Sequence, residues 1–345
     1  MEPGEAEFKE RFSLVGSNVK IFSGNAHPRL AYDICRYLGL PLGRSLASTF
    51  QNGETRVKIE ETVRGKDVYI VQPICGRVND SLVELLLMID AVARASVKNV
   101  TAIIPYYGYE KQEKKTSGRE PIAAKLFANI YTVAGVNRII TVDLHSAAIQ
   151  GFFDIPVDNL TFFPLLFNYF ERKLEGEDIV VVSPDAGGVS RAKAFAEQIR
   201  ASLAIIFKRR NRPDQVEAID FIGDVKGKTA IIIDDMISTG GTLIQAARIL
   251  KQNGAERIFA CATHPLLAGS AIKNIENSDI EEVVVADTVP IPIEAQRGKF
   301  LYLSVAPLIA ESIRRVHYNL SMSMLFDWRK KYEANSDWSQ EKRNG

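Results

Sequence analysis

The feature that most constrains this chain is that it repeats itself. The segment GKDVYIVQP (65–73) parallels GKTAIIIDD (227–235), about 160 residues on. After each copy come a short loop, an amphipathic helix and another apolar run, KNVTAIIP (98–105) and AERIFACAT (255–263). Upstream, NVKIFSG (18–24) matches DIVVVSPD (178–185), and downstream RIITVDLH (138–145) matches EEVVVADTV (281–289). Four matched segments in one order point to two related domains, because a repeat this long is a duplicated domain and not a solenoid unit. The length of 345 residues agrees, since a domain takes roughly 100–200. The boundary is expected within 150–178. That gives an extension over 1–18, a first domain over 19–160, a second over 161–320 and a frayed polar tail over 321–345.

Eight short runs read as strands: 19–22, 68–72, 100–104, 138–142, 179–183, 230–233, 257–261 and 283–286. They are nearly all apolar and do not alternate, as strands covered on both faces do. Between them, 81–95 places Leu82, Leu85, Leu86 and Ile89 on one helical stripe, and 242–253 does the same with Leu243, Ala246, Ala247 and Leu250. Strand, helix, strand alternation predicts an α/β fold: two duplicated domains, each a mainly parallel sheet flanked by helices.

Composition narrows the partners. The chain is 46% apolar, with 43 Lys and Arg against 42 Asp and Glu, for a net charge of +1. Such a balance argues against gripping nucleic acid or an anionic membrane through bulk charge, and leaves room for a local cluster that binds a small anion. Cys35, Cys75 and Cys261 are too few for a disulfide scaffold and too scattered for a zinc site. Buried thiols in a reducing compartment are expected. No apolar run approaches 18 residues, and no apolar h-region follows the charged start. A cytoplasmic protein is therefore expected, which argues against a periplasmic two-domain binding protein.

The strongest chemical signal is IIIDDMISTGGTL (231–243). An apolar strand runs into Asp234 and Asp235, a small Gly-containing loop follows, and a helix begins. Ser238, Thr239, Gly240, Gly241 and Thr242 can aim successive N–H groups and hydroxyls at one anion, with the helix N-terminus adding partial positive charge. The carboxylates sit where open α/β sheets bind ligands, and they suit vicinal ribose hydroxyls as acceptors. The plainer reading is an acidic turn capping a helix with Thr242 as N-cap.

Four other segments read two ways. Asp143 and His145 lie just past a strand end, as surface or capping residues or as a phosphate or metal group. Asp185 precedes a Gly pair opening a helix, as an Asp turn or a ligand contact. Phe50, Asn52 and Glu54 alternate along an extended segment and would share one face, as a strand edge or a purine contact. The insertion 106–120 carries Lys111, Gln112, Lys114 and Lys115 and reads as a mobile polar loop, too polar to pack. The densest basic cluster is Lys208, Arg209, Arg210 and Arg212. It is a surface turn or, from its place on the repeat of FQNGE, a lid.

The motif at 231–243 resembles the phosphoribosyl-diphosphate loop of type I phosphoribosyltransferase folds. Together with KIFSGNAHPRLA (20–31), FQNGET (50–55), PYYGYEKQEKK (105–115), DLHSAAIQGFFDIPVDNL (143–160), VSPDAGG (182–188) and ESIRRVH (311–317), it resembles the ribose-phosphate pyrophosphokinase family. The resemblance implies transfer of the β,γ-diphosphoryl group of ATP to the 1-hydroxyl of ribose 5-phosphate, with Mg2+ as cofactor. It assigns Lys208 and Arg210 to catalysis, and Phe50, Asn52, Gly53, Glu54, Lys111, Gln112 and His145 to ATP. Arg210, Asp234, Asp235, Ser238, Thr239, Gly240, Gly241 and Thr242 go to ribose 5-phosphate, and His145 and Asp185 to the metal. The 234–242 loop, Asp185, His145 and the 208–210 loop are expected to converge on one active site, and the resemblance implies that the segment of Phe50, Asn52 and Glu54 is supplied to a neighbouring subunit's site. A homo-oligomer, a hexamer by resemblance, is also implied. The chain departs from the family's usual pattern in two places. Glu110-Lys111-Gln112-Glu113 stands for Ala-Arg-Gln-Asp, and Ser238 stands for Asp. A non-catalytic regulatory paralogue and a phosphoribosyltransferase remain as alternatives.

Overall fold

A computed structural model describes residues 13–209 and 218–326, and they cluster into two units. Among the described residues, unit 1 comprises 13–161, 288–290 and 304–326, and unit 2 comprises 162–209, 218–287 and 291–303.

In unit 1, strands β1 (Val19–Ser23), β4 (Asp67–Val71), β5 (Asn99–Ile104), β6 (Arg138–Val142) and β7 (Val157–Leu160) form a sheet in the order β1-β4-β5-β6-β7. Every pairing is parallel. Parallel strands need crossovers, and these are α1 (Pro28–Leu38), α2 (Val78–Arg94), α3 (Ala123–Ala134) and, between β6 and β7, the short 3₁₀ helix Ala147–Phe152. The antiparallel hairpin of β2 (Ser45–Thr49) and β3 (Thr55–Ile59) stands apart from the sheet. Ile70, Leu85, Met88, Ala102 and Tyr131 are fully buried in the core between sheet and helices. Leu14 of the N-terminal extension is also fully buried, its N–H donating to Leu38 O at 2.8 Å.

Unit 2 has seven strands in the order β10-β9-β8-β11-β12-β13-β14. They are β8 (Ile179–Ser183), β9 (Ser202–Arg209), β10 (Ala218–Ile222), β11 (Thr229–Ile237), β12 (Arg257–Pro265), β13 (Glu282–Ala286) and β14 (Phe300–Leu303). All pair in parallel except β10, which runs antiparallel to β9. The helices are α4 (Phe163–Lys173), α5 (Val189–Ile199), α6 (Gly241–Gln252) and α7 (Ala271–Glu276). The last two, α8 (Ala306–His317) and α9 (Ser323–Phe326), belong to unit 1, where α8 packs on α1.

The two units carry the same strand order. Strands β1, β4, β5, β6 and β7 of one correspond to β8, β11, β12, β13 and β14 of the other. All eight apolar runs are strands within these sheets. The α/β architecture with parallel sheets is as the repeat predicts. The hairpin β2–β3 and the pair β9–β10 occupy the same place in each copy, one free of its sheet and one joined to it.

Candidate active site

In unit 2 the chain turns outward from β8 to β9 on one side and from β11 to β12 on the other. The switch point therefore lies between β8 and β11, and their C-terminal loops flank a crevice of the kind that holds ligands in such sheets. β8 pairs with β11 only as far as Ile232, whereas β12 follows β11 to Ile237. Asp234 and Asp235 lie within β11, past its last bond to β8, so the strand edge beside them opens into that crevice.

Successive strand residues face opposite ways. Asp234 is half-buried and Asp235 is buried. Arg191 of α5 comes within 3.5 Å of the Asp235 carboxylate, and the Asp235 N–H donates to Asp234 Oδ1 at 2.8 Å. Burial, then a hydrogen bond and the charge of Asp235, then the charge of Asp185, push the Asp234 carboxyl up to about 8. Two carboxyls crowded into one site cannot both ionise cheaply. A cation or a hydrogen-bond donor placed against Asp234 would relieve that strain.

Helix α6 begins at Gly241, one residue earlier than the stripe predicts. Gly240, not Thr242, is its N-cap, at φ +76°. A Cβ on Gly240 would lie 3.2 Å from Ile275 Cδ1, so both backbone conformation and space call for glycine. Glycine supplies no side-chain cap, which leaves the first-turn N–H groups for an external anion. Ser238 is half-buried, and Thr239, Gly241 and Thr242 are exposed beside it. Asp185 is exposed after β8; its Oδ1 accepts the Gly188 N–H at 2.9 Å and its carbonyl accepts from Ser183 Oγ at 2.7 Å. Lys208 lies in β9 opposite Ile219, but nothing of its side chain is described, and Arg210 and Arg212 lie outside the described residues.

In unit 1, His145 is exposed on the turn after β6, and its backbone N–H donates to Glu110 Oε2 at 2.9 Å. Glu110 is 1% exposed, which corrects the reading of 106–120 as a loop too polar to pack. Its first residues, Tyr106 and Tyr107, are buried, and Tyr107 donates to Ala124 O at 3.1 Å. Tyr109 donates to Asn79 Oδ1 and lies 4.6 Å from the Phe127 ring. Exposure begins at Lys111 and Gln112, which therefore project from an anchored base. Farther along, Glu120 accepts from the amides and hydroxyls of Thr116 and Ser117, and these four bonds hold its carboxyl down at about 2.

Phe50, Asn52, Gly53 and Glu54 form the tip of the β2–β3 hairpin and are all exposed. They do not alternate along an extended segment. Phe50 N donates to Glu54 O at 2.8 Å, Gly53 N to Phe50 O at 2.9 Å, and Gly53 stands at φ +91°. The Asn52-Gly53 pair is a turn signal that favours this geometry. Arg56 places its guanidinium 5.8 Å from the Phe50 ring. Arg191 and Glu110 are the residues the sequence reading missed, because a lone Arg on a helix and a Glu in a charged loop carry no distinguishing pattern.

Known proteins resemble this chain over nearly all its length. Residues 19–135 match the family model described as the N-terminal domain of ribose phosphate pyrophosphokinase, and 209–327 the phosphoribosyl synthetase-associated domain. A ribose-phosphate pyrophosphokinase of Oceanobacillus iheyensis is 51% identical over 315 residues, spanning 91% of this chain and 99% of that one. Its counterpart in Bacillus subtilis is 50% identical over 309 residues, spanning 90% and 97%. The crystal structure of phosphoribosylpyrophosphate synthetase from Mycobacterium smegmatis superposes with a TM-score of 0.84 at 42% identity, covering 88% of this chain and 100% of that one.

Proposed function

The chain belongs to the ribose-phosphate pyrophosphokinase family, and from that premise we propose that the unit 2 switch point is its ribose 5-phosphate site. The reaction is transfer of the β,γ-diphosphoryl group of ATP to the 1-hydroxyl of ribose 5-phosphate. The ribose 1-oxygen attacks the β-phosphorus, the bond to the α-phosphate oxygen breaks, the hydroxyl proton is released and AMP leaves. No protein nucleophile is required.

The observation that carries the site is the uncapped start of α6 beside Asp234. The 5-phosphate takes the N–H groups and hydroxyls of 238–242, and a ribose hydroxyl donates to Asp234. Asp235 is turned to Arg191 and fixes the strand end, so the two acidic residues have different tasks. Asp185 is an oxygen donor exposed at the same switch point, and its charge reaches Asp234. That suits Mg2+, which takes one or two carboxylates and completes its shell with water and phosphate oxygens. Bound there, Mg2+ would neutralise phosphate charge. Lys208 and Arg210 are the catalytic cations of this reading. In unit 1, Phe50, Asn52, Gly53, Glu54, Lys111, Gln112 and His145 are the ATP-side groups, with His145 the further metal-site residue. Family membership also supports a homo-oligomer. Among the described residues no helix is long and apolar enough to cross a membrane.

The test is AMP release from ATP and Mg2+, with and without ribose 5-phosphate. AMP that depends on the sugar is expected, and its absence would remove the activity. The Lys208→Ala variant should turn over roughly 10²–10³-fold more slowly while ribose 5-phosphate still binds. An unchanged rate would take Lys208 out of the mechanism.

A further inference from the structure

In unit 1 the strands that match β8 and β11 are β1, at the edge of its sheet, and β4, and at their C-terminal ends the chemistry of unit 2 is inverted. The repeat aligns 18 with 178 and 65 with 227, which sets Asn25 against Asp185 and Gln72 against Asp234. Both carboxylates have become carboxamides. A carboxylate enters instead from the helix: Glu84, on α2, takes the place that Ala246 has on α6.

Glu84 is 7% exposed, and the two amides converge on it. Its Oε1 accepts the Asn25 N–H at 2.6 Å and Gln72 Nε2 at 2.9 Å, and its Oε2 accepts Asn25 Nδ2 at 2.7 Å. Gln72, fully buried, is itself locked. Its Oε1 accepts the Ala26 N–H at 3.0 Å and its Nε2 also reaches Ser81 O at 3.3 Å. Gly24 permits the approach, since a Cβ there would lie 2.3 Å from Gln72 Oε1 and 2.7 Å from Glu84 Oε1. Neutral N–H donors gathered at a strand end, beside a glycine, are the equipment with which open α/β sheets bind small anions.

We propose that this crevice is a self-occupied anion site in which Glu84 is the built-in ligand, closing the first copy to phosphate esters. Removing the side chain would uncover a site for a small free carboxylate. The inference rests on unit 1 alone and does not depend on which ligand unit 2 takes.

The probes are formate and acetate, set against sodium chloride at equal ionic strength. Glu84→Ala removes the acceptor of three hydrogen bonds, leaving Gln72 Nε2 only Ser81 O and Asn25 Nδ2 only Ala47 O, and the melting temperature should fall by several degrees. Formate should raise the melting temperature of the variant more than that of the parent chain. Equal shifts in the two proteins, or a variant that melts with the parent, would overturn the proposal. Should Glu84→Ala fail to fold, an exchange of donor and acceptor decides. Glu84→Gln sets an NH2 against Asn25 Nδ2, and Asn25→Asp sets two carboxylates together. Each single change should lower the melting temperature, and the double variant should recover part of the loss because donor again meets acceptor. Strictly additive losses would defeat the idea. These readouts are melting temperatures, so their failure leaves the diphosphoryl-transfer reading untouched.

Discussion

Asp234 is held in the fold at a cost. Its carboxyl is raised to about 8, chiefly by burial, whereas an unfolded Asp titrates near 4. Between those values the folded chain binds more protons than the unfolded one. The stability this group contributes is therefore full below about 4 and is lost as pH rises through about 8. Asp234→Asn keeps the shape and removes the charge. It should melt above the parent at pH 8, with the gap shrinking towards pH 5, and it should lose ribose 5-phosphate binding. A variant that melts below the parent at pH 8 would contradict this account of the strain. Arg191 is the companion case. Arg191→Ala removes the cation beside the buried Asp235 carboxylate and should cost roughly 1–3 kcal/mol in denaturant unfolding, and Arg191→Lys should restore part of that. Denaturation midpoints that coincide with the parent's would show that Asp235 needs no cation. The acidic pair could be read from its place at the end of an apolar run. The pairing of Asp235 with Arg191 could not, because strand alternation names two faces without saying what covers each.

At the scale of elements, legibility followed burial. Seven of the eight apolar runs are central strands, β1 alone lying at a sheet edge, and a strand buried on both faces writes its whole length in Val, Ile and Ala. β2 and β3 escaped because they are short and largely half-exposed, so their residues need not be apolar. The hairpin tip was misread for a related reason: alternation was assumed across Asn52-Gly53, where the chain reverses. Two glycines now separate conformation from packing. Gly53 stands at φ +91° with open space where a Cβ would go, and Gly240 at φ +76° would press one against Ile275. Gly53→Ala should therefore cost only the left-handed backbone term, about 1–2 kcal/mol, and Gly240→Ala should cost more. Gly240→Ala should also weaken ribose 5-phosphate binding by disturbing the start of α6. Equal losses in calorimetry would mean that the loop before α6 relaxes and that its tight fit holds nothing in place.

Duplication gives the molecule two sheets of matching order, and a duplicated fold begins with two crevices. The strand sequence could be read from the repeat. The return of α8 to unit 1 could not, since it lies beyond the last repeated segment and its partner α1 lies near the other end of the chain. What the two copies hold at these matching strand ends differs in kind. One presents carboxylates beside an uncapped helix start, and the other binds its own glutamate with carboxamides. Selection for a single ribose-phosphate site would keep the first open, and the second is closed most firmly by a group that cannot diffuse away. The consequence is a stoichiometry. Equilibrium dialysis with labelled ribose 5-phosphate should saturate at one molecule per chain, and Asp234→Asn should abolish all of that binding, not half. A second equivalent on the parent chain, or half the binding surviving in Asp234→Asn, would mean that the first crevice opens in solution. In that case Gly24→Ala, which forces a Cβ onto Gln72 and Glu84, should change the amount bound.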